Sequence, residues 1–135
     1  MDVYLIDFEP KGDIRGKLVA LEIGRDIPFT VKRIFYIYDT KENVARAKHA
    51  NVRTRQVIIC QSGRCTVMVD DGRERREIIL DRPERGLFIG PMIWRAIYNM
   101  SKDCVILVIT DDLYDPEEYI RDYGEFKRMA MKAER

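Results

Sequence analysis

His49 is the one histidine among 135 residues. Histidine is the side chain whose ordinary pKa suits proton transfer near neutral pH. It stands in Arg46-Ala47-Lys48-His49-Ala50-Asn51, with Gln56 and Gly63 downstream. A second group follows later: Gly86, Pro91, Trp94-Arg95 and Asn99. Arg33 shares a strand face with Val31, Phe35 and Ile37. An arginine among apolar residues needs an anion, so it either binds a phosphate or pairs with a core acid. Tyr36 lies on the opposite face with Lys32, Ile34 and Tyr38, and is a second candidate acid. A single histidine excludes HExxH zincins and multi-histidine metal sites. The three cysteines, Cys60, Cys65 and Cys104, are odd in number and form no CxxC pair. They read as buried reduced thiols, not as a disulfide framework or a zinc knuckle.

The elements that must position these residues are mostly strands. Gly16 to Glu22 reads as a short strand after a turn at Lys11-Gly12-Asp13. Thr30 to Tyr38 is rich in β-branched and aromatic residues and predicts a strand, followed by a polar loop over 39–45. Gln56 to Cys60, Arg64 to Val69, Glu74 to Leu80, Gly86 to Ile89, Ile93 to Tyr98 and Cys104 to Thr110 continue the series. Asp70-Asp71-Gly72 is a hairpin signal, because Asp and Gly tolerate positive φ. Short strands at such spacing predict a sandwich or barrel. Asp115-Pro116-Glu117-Glu118 has the signs of a helix start, and Tyr119, Tyr123, Phe126 and Ala130 recur at helical spacing. The expected architecture is all-β, one domain over 1–135, with a C-terminal helix over about 115–132. Small barrels place ligands in the mouth, so inward-facing polar residues are the site candidates.

Lys plus Arg number 24 and Asp plus Glu 23, giving a net charge of +1. That balance predicts neither nucleic acid nor an anionic membrane as partner. The run Arg73-Glu74-Arg75-Arg76-Glu77 alternates in sign and reads as a solvated, protected sheet edge. No apolar run approaches the ~18–20 residues of a membrane span. The N-terminus lacks a signal-peptide pattern, and a cytoplasmic location is expected.

The pattern His49-x-Asn51, then Gln56, six residues and Gly63, followed by Gly86, Pro91, Arg95 and Asn99, resembles the paired motifs of cupins, a jelly-roll family. His49 keeps a metal-ligand position of that signature, whereas Asn51, Gln56 and Arg95 stand where cupins carry His, Glu and His. An amide and a guanidinium do not replace imidazole and carboxylate around a divalent ion, so no metal and no cofactor are expected.

The chain resembles more closely the metal-free cupins of the WxcM-like, FdtA-type family of sugar nucleotide 3,4-ketoisomerases. Arg15-Gly16-x-Leu18-Val19-Ala20-x-Glu22, Ile27-Pro28-Phe29, Lys32-Arg33-x-x-Tyr36, Asp39-Thr40-Lys41, Gln56-Val57, Gly86-Leu87-x-Ile89-Gly90-Pro91 and Tyr119-Ile120-Arg121 carry the likeness, from about Leu5 to Phe126. It implies a substrate, dTDP-4-keto-6-deoxyglucose, whose keto group moves from C4 to C3 for 3-amino sugars of surface polysaccharides. It also implies a homodimer with exchanged N-terminal strands. The family motif Arg-Gly-x-His-x-His assigns its histidines to proton transfer. By position these are His49 and Asn51, and the Trp-His pair of the second motif is Trp94-Arg95. The expected catalytic set is His49, Asn51 and Tyr36; the expected ligand-binding set is Arg33, Arg46, Gln56, Trp94 and Arg95. Asn51 and Arg95 are not bases. A non-catalytic module that binds a nucleotide sugar is therefore the alternative to an isomerase.

Overall fold

The computed structural model describes residues 1–133. In chain order these form β1 (Val3–Asp7), β2 (Lys11–Asp13), β3 (Gly16–Leu18), β4 (Arg33–Ile37), β5 (Arg46–Asn51), β6 (Gln56–Ser62), β7 (Cys65–Asp70), β8 (Arg75–Leu80), β9 (Arg85–Ile89), β10 (Trp94–Tyr98), β11 (Val105–Thr110), a 3-10 turn (Pro116–Glu118), β12 (Tyr119–Ile120) and α1 (Tyr123–Ala133). One antiparallel sheet has the order β1-β9-β6-β11-β4, and a second has β12-β5-β10-β7-β8. β2 and β3 pair as a separate hairpin. The expected all-β architecture with a C-terminal helix is what the chain adopts. No described helix is long and apolar enough to cross a membrane.

Alternation along the strands builds three apolar layers. Ile58 and Cys60 of β6, Val67 and Val69 of β7, Ile97 of β10 and Ile106 of β11 fill the space between the sheets. The other face of β6, Val57 and Ile59, packs with Phe8, Ile27, Phe29 and Phe88 from the segments that cover that sheet. Both faces of β6 are thus buried, which is why it reads as a continuous apolar run. On the second sheet, Ala50, Met68, Trp94 and Ala96 turn outward beneath Phe126 and Ala130 of α1.

Cys60, Cys65 and Cys104 are free and buried in the central layer, their sulfurs within 4.8 Å of one another. Burial pushes the Cys104 thiol up to about 12. Hydrogen bonding to Cys65 and burial push Cys60 up as well. Both shifts favour the neutral thiol over the thiolate at Cys60 and Cys104.

The tail differs from its expectation. Asp115 caps only a single turn, accepting from the Glu117 amide. Tyr119 and Ile120 then pair with Asn51 and Ala50 on the edge of β5, so sheet hydrogen bonds override helical spacing there. The helix starts at Tyr123, with Asp122 Oδ2 accepting from the Glu125 amide. The turn expected at Lys11-Gly12-Asp13 is strand, and the chain reverses at residues 14–15, where the Asp13 carboxylate accepts from the Arg15 amide. The β7–β8 hairpin turns where expected. Gly72 has φ 96°, and a Cβ there would approach Ala130 Cβ to 3.0 Å.

One irregularity matters for the site. His49 pairs with Arg95 and Arg46 with Ile97, so three steps of β5 oppose two of β10. The surplus residue is a β-bulge, with Ala47 at φ 74° and Lys48 at φ 48°. Without it, residues 46 and 49 would point to opposite faces; with it, both line the same cleft.

Two stability measurements test this account. Phe126 is fully buried against Trp94 and Tyr123, so Phe126→Ala should lower the urea unfolding free energy by about 3–5 kcal/mol. Ala47→Gly should raise it by about 0.5–1 kcal/mol, since relief of the left-handed strain exceeds the added chain entropy. A loss in the second variant would mean that the bulge is held without strain.

Candidate active site

A cleft of about 400 Å³ opens between the sheets, within the range of small-ligand sites. Ile37, Ile58, Ile97 and Val108 supply apolar lining, and Arg33, Arg46, His49, Gln56, Arg95 and Tyr119 supply the polar groups. They come from both sheets: Arg33 from β4, Gln56 from the start of β6, Arg95 from β10, Arg46 and His49 from the bulged β5, and Tyr119 from β12.

Arg95 is 1% exposed. Its Nη1 donates to Gln56 Oε1 at 2.7 Å, and its Nε and Nη2 donate to the Ile93 carbonyl at 3.2 and 2.9 Å. Every one of these acceptors is neutral. Burial pushes the guanidinium pKa down to about 10, which still leaves it charged at neutral pH. His49 sits opposite it on β5. Its ring stacks on Tyr119 at 4.6 Å between centroids, with Nδ1 3.0 Å from the Ala47 carbonyl oxygen and Nε2 3.0 Å from the Asn51 amide. Burial first, then the positive field of Arg95, pushes the His49 pKa down to about 4. At neutral pH the cleft therefore holds an unprotonated imidazole beside a permanent cation, which suits removing a proton from a carbon acid and stabilising the resulting oxyanion.

Arg33 extends the cationic wall. Its guanidinium lies 4.5 Å from the centre of the Phe35 ring and 5.1 Å from that of Tyr114. Rings hold its flat faces, not the core acid that was one of its two expected partners, and its edge is left for an anion.

Two expected site residues fall elsewhere. Tyr36 is on the outer face of β4 and 65% exposed. It does not line the cleft, because alternation that brings in Arg33, Phe35 and Ile37 turns Tyr36 out. Trp94 points away from Arg95 into the layer under α1, edge-on to Tyr123 at 5.4 Å and tilted against Phe126 at 5.8 Å. It packs the helix and does not touch the cleft. Asn51 is buried behind His49 and reaches the site through that ring.

Three residues were missed. Tyr119 stacks on His49, Arg121 lies 4.8 Å over Tyr119, and Tyr114 packs against Tyr119 at 5.6 Å. Tyr119 falls on the helical spacing of Tyr123, Phe126 and Ala130. A two-residue strand leaves no periodic signal to correct that.

At the four positions where cupins carry metal ligands, this cleft presents one imidazole, two amides and a guanidinium. Arg95 bonds directly to Gln56 and faces His49. A divalent cation there would meet a fixed positive charge and find a single good donor, so the donor set does not fit a metal.

A family model described as WxcM-like, C-terminal (FdtA) matches residues 1–131. A TDP-4-oxo-6-deoxy-α-D-glucose-3,4-oxoisomerase of Aneurinibacillus thermoaerophilus is 43% identical over 132 residues, covering 98% of this chain and 95% of that one. The crystal structure of a 3,4-ketoisomerase from Helicobacter canadensis superposes with a TM-score of 0.95 at 47% identity, covering 97% of this chain and 98% of that one. A His-to-Asn variant of the QdtA 3,4-ketoisomerase from Thermoanaerobacterium thermosaccharolyticum, in complex with TDP-4-keto-6-deoxyglucose, superposes with a TM-score of 0.94 at 34% identity, covering 97% of this chain and 95% of that one. With a family match over almost the whole length and a full-length relative of this identity, the chain belongs to the WxcM-like, FdtA-type family.

Proposed function

We propose that this protein is a 3,4-ketoisomerase of a dTDP-linked 4-keto-6-deoxyhexose, acting in deoxysugar biosynthesis in the cytoplasm. The observation that carries the reading is the pairing, in one cleft, of an unprotonated His49 with the buried Arg95. His49 removes the proton from C3, and the electron pair moves into the C3–C4 bond while the C4 carbonyl oxygen becomes an enediolate oxyanion. Arg95 is the donor placed to stabilise that charge. Protonation at C4 and loss of the O3 proton then give the C3 ketone. In net, C3 loses a proton to the base, C4 gains one after the base has exchanged with solvent, and one passes from O3 to O4. The sugar is oxidised at one carbon and reduced at the next, so no redox cofactor enters. Arg33 and Arg46, which line the same cleft, bind the diphosphate in this reading.

A homodimer fits the exposed surface. No residue of the β2–β3 hairpin is buried, and Ile14 at its tip is fully exposed. Ile34, Tyr36 and Tyr38 form an apolar patch on the outer side of the β4 segment. Such surface calls for a partner, and a second copy with exchanged N-terminal strands would cover it. Light scattering should return twice the 15.9 kDa chain mass; a monomer at micromolar concentration would remove this part of the reading.

The activity is tested by proton NMR of dTDP-4-keto-6-deoxyglucose with the protein in D₂O. Isomerisation should place deuterium at C4 of a 3-keto product. Retained dTDP binding with no exchange would instead support the non-catalytic nucleotide-sugar-binding alternative. His49→Gln should lower turnover by about 10²–10⁴-fold, and Arg95→Gln by about 10²–10³-fold, each with dTDP affinity changed only a few fold.

The pH profile is a separate check. The neutral ring is the active form, so kcat/KM falls as pH drops through the His49 pKa of about 4. Activity should hold down to about pH 5.5, whereas an acid limb centred near the ordinary imidazole value of about 6.5 would contradict the buried, cation-flanked environment of the base.

A further inference from the structure

His49 has an acceptor at one ring nitrogen and an amide at the other. The Ala47 carbonyl oxygen lies 3.0 Å from Nδ1, and the Asn51 Oδ1 lies 3.0 Å from Nε2. A carbonyl only accepts, so Nδ1 carries a hydrogen. In a neutral ring Nε2 then holds the lone pair, and a lone pair facing Oδ1 at that distance is repulsive. The other end of the same amide, Asn51 Nδ2, is the one buried side-chain polar atom among the described residues that has no hydrogen-bond partner. Asn51 is only 1% exposed, so solvent does not satisfy it. Half a turn of the amide about its last bond removes the repulsion. It brings a donor onto Nε2 and gives Nδ2 a partner, with Oδ1 taking the place Nδ2 leaves, and the two ends are alike in size, so packing is unchanged.

We propose that Asn51 donates through Nδ2 to Nε2 of neutral His49, fixing the Nδ1–H tautomer, and turns over to accept through Oδ1 when the ring is protonated. An amide can follow the proton in this way because it carries a donor at one end and an acceptor at the other. A carboxylate in its place would only accept, and would hold the ring charged. The groups around the ring favour the donating orientation at rest. Arg95 faces it from β10, and Arg121 and Tyr119 from β12 and the residue after it. Arg33 lines the same cleft from β4, and Arg46 and Lys48 flank His49 on its own strand. All of these are cationic or neutral, and the buried carboxylate of Glu118, just before β12, is taken by the Arg53 and Thr54 amides and the Thr54 hydroxyl. Asn51 is thus a positioning residue. It decides which nitrogen can take a proton, and that lone pair stays covered until the amide moves. The catalytic meaning rests on His49 being the base of the proposed isomerase reaction.

The test needs no substrate, so its outcome is separate from that of the isomerase assay. Because the chain has a single histidine, long-range proton–nitrogen NMR of the uniformly ¹⁵N-labelled free protein reads His49 without ambiguity. Near neutral pH, Nδ1 should appear protonated and Nε2 unprotonated. A coupling across the hydrogen bond should join Asn51 Nδ2 to His49 Nε2. An Nε2–H tautomer, an imidazolium, or the absence of that coupling would overturn the proposal. In Asn51→Asp the proton affinity of His49 should rise at least tenfold, and an unchanged titration midpoint would count equally against it. Should that variant fail to fold, the wild-type spectrum alone decides.

Discussion

The guanidinium of Arg95 is closed inside the sandwich with only neutral acceptors, and much of the site follows from that. Removing such a cation from water costs several kcal/mol even after relaxation. Hydrogen bonds to Gln56 Oε1 and the Ile93 carbonyl offset part of the cost. The first of them crosses from β10 to β6, so it also joins the two sheets at the floor of the cleft. The charge orients the Gln56 amide, whose Oε1 must face it. It keeps a second proton off His49 on the neighbouring strand. It leaves the cleft with an unbalanced positive potential that a diphosphate or a nascent oxyanion is suited to neutralise. A site assembled this way is destabilised when empty and relieved when filled, the usual relation between binding energy and preorganisation.

The layers on either side make this arrangement rigid. Beneath the second sheet, Trp94, Phe126 and Ala130 fix the backbone of β10, from which Arg95 projects in the other direction. Above the first, Phe8, Ile27 and Phe29 cover the outer face of β6, which carries Gln56. Gln56 and Arg95 thus sit on strands whose opposite faces are packed, whereas β4, which carries Arg33, leaves Ile34 and Tyr36 exposed on its outer face. β5 is locally strained at Ala47 and Lys48, and it carries His49. Strain of this kind concentrates where a side chain must be aimed against the regular alternation.

Most of the architecture was legible in the sequence because it rests on period-two burial and turn chemistry. β4, β6 and the β7–β8 hairpin are clear from their residues alone. Alternation puts Arg33 on one face with Val31, Phe35 and Ile37, and the same rule applied to Trp94 beside Arg95 sends the tryptophan to the opposite face. The rest was hidden for physical reasons. The Arg46–Asn51 strand carries a bulge, so its facing pattern does not follow its spacing. β12 is two residues long and preceded by a capped turn with all the signs of a helix start. Tyr119 therefore reached the cleft through tertiary pairing that no local pattern announces. The contact between His49 and Asn51 spans only two residues in sequence, yet its polarity depends on the electrostatics of strands far along the chain.

The cleft is bounded on its two sides by strands of unequal attachment to the body. β4 ends the first sheet and β12 ends the second, and each is bonded along one edge only. β6 and β10, which form the floor, are bonded along both. Fluctuations that separate an edge strand from its neighbour break fewer hydrogen bonds and expose less apolar surface than any that disturb the centre. Arg33 and Tyr119 therefore ride on strands whose local opening breaks hydrogen bonds along one edge, while Gln56 and Arg95 ride on strands held along both. Local opening at the entrance thus leaves the hydrogen bonds of the floor strands intact.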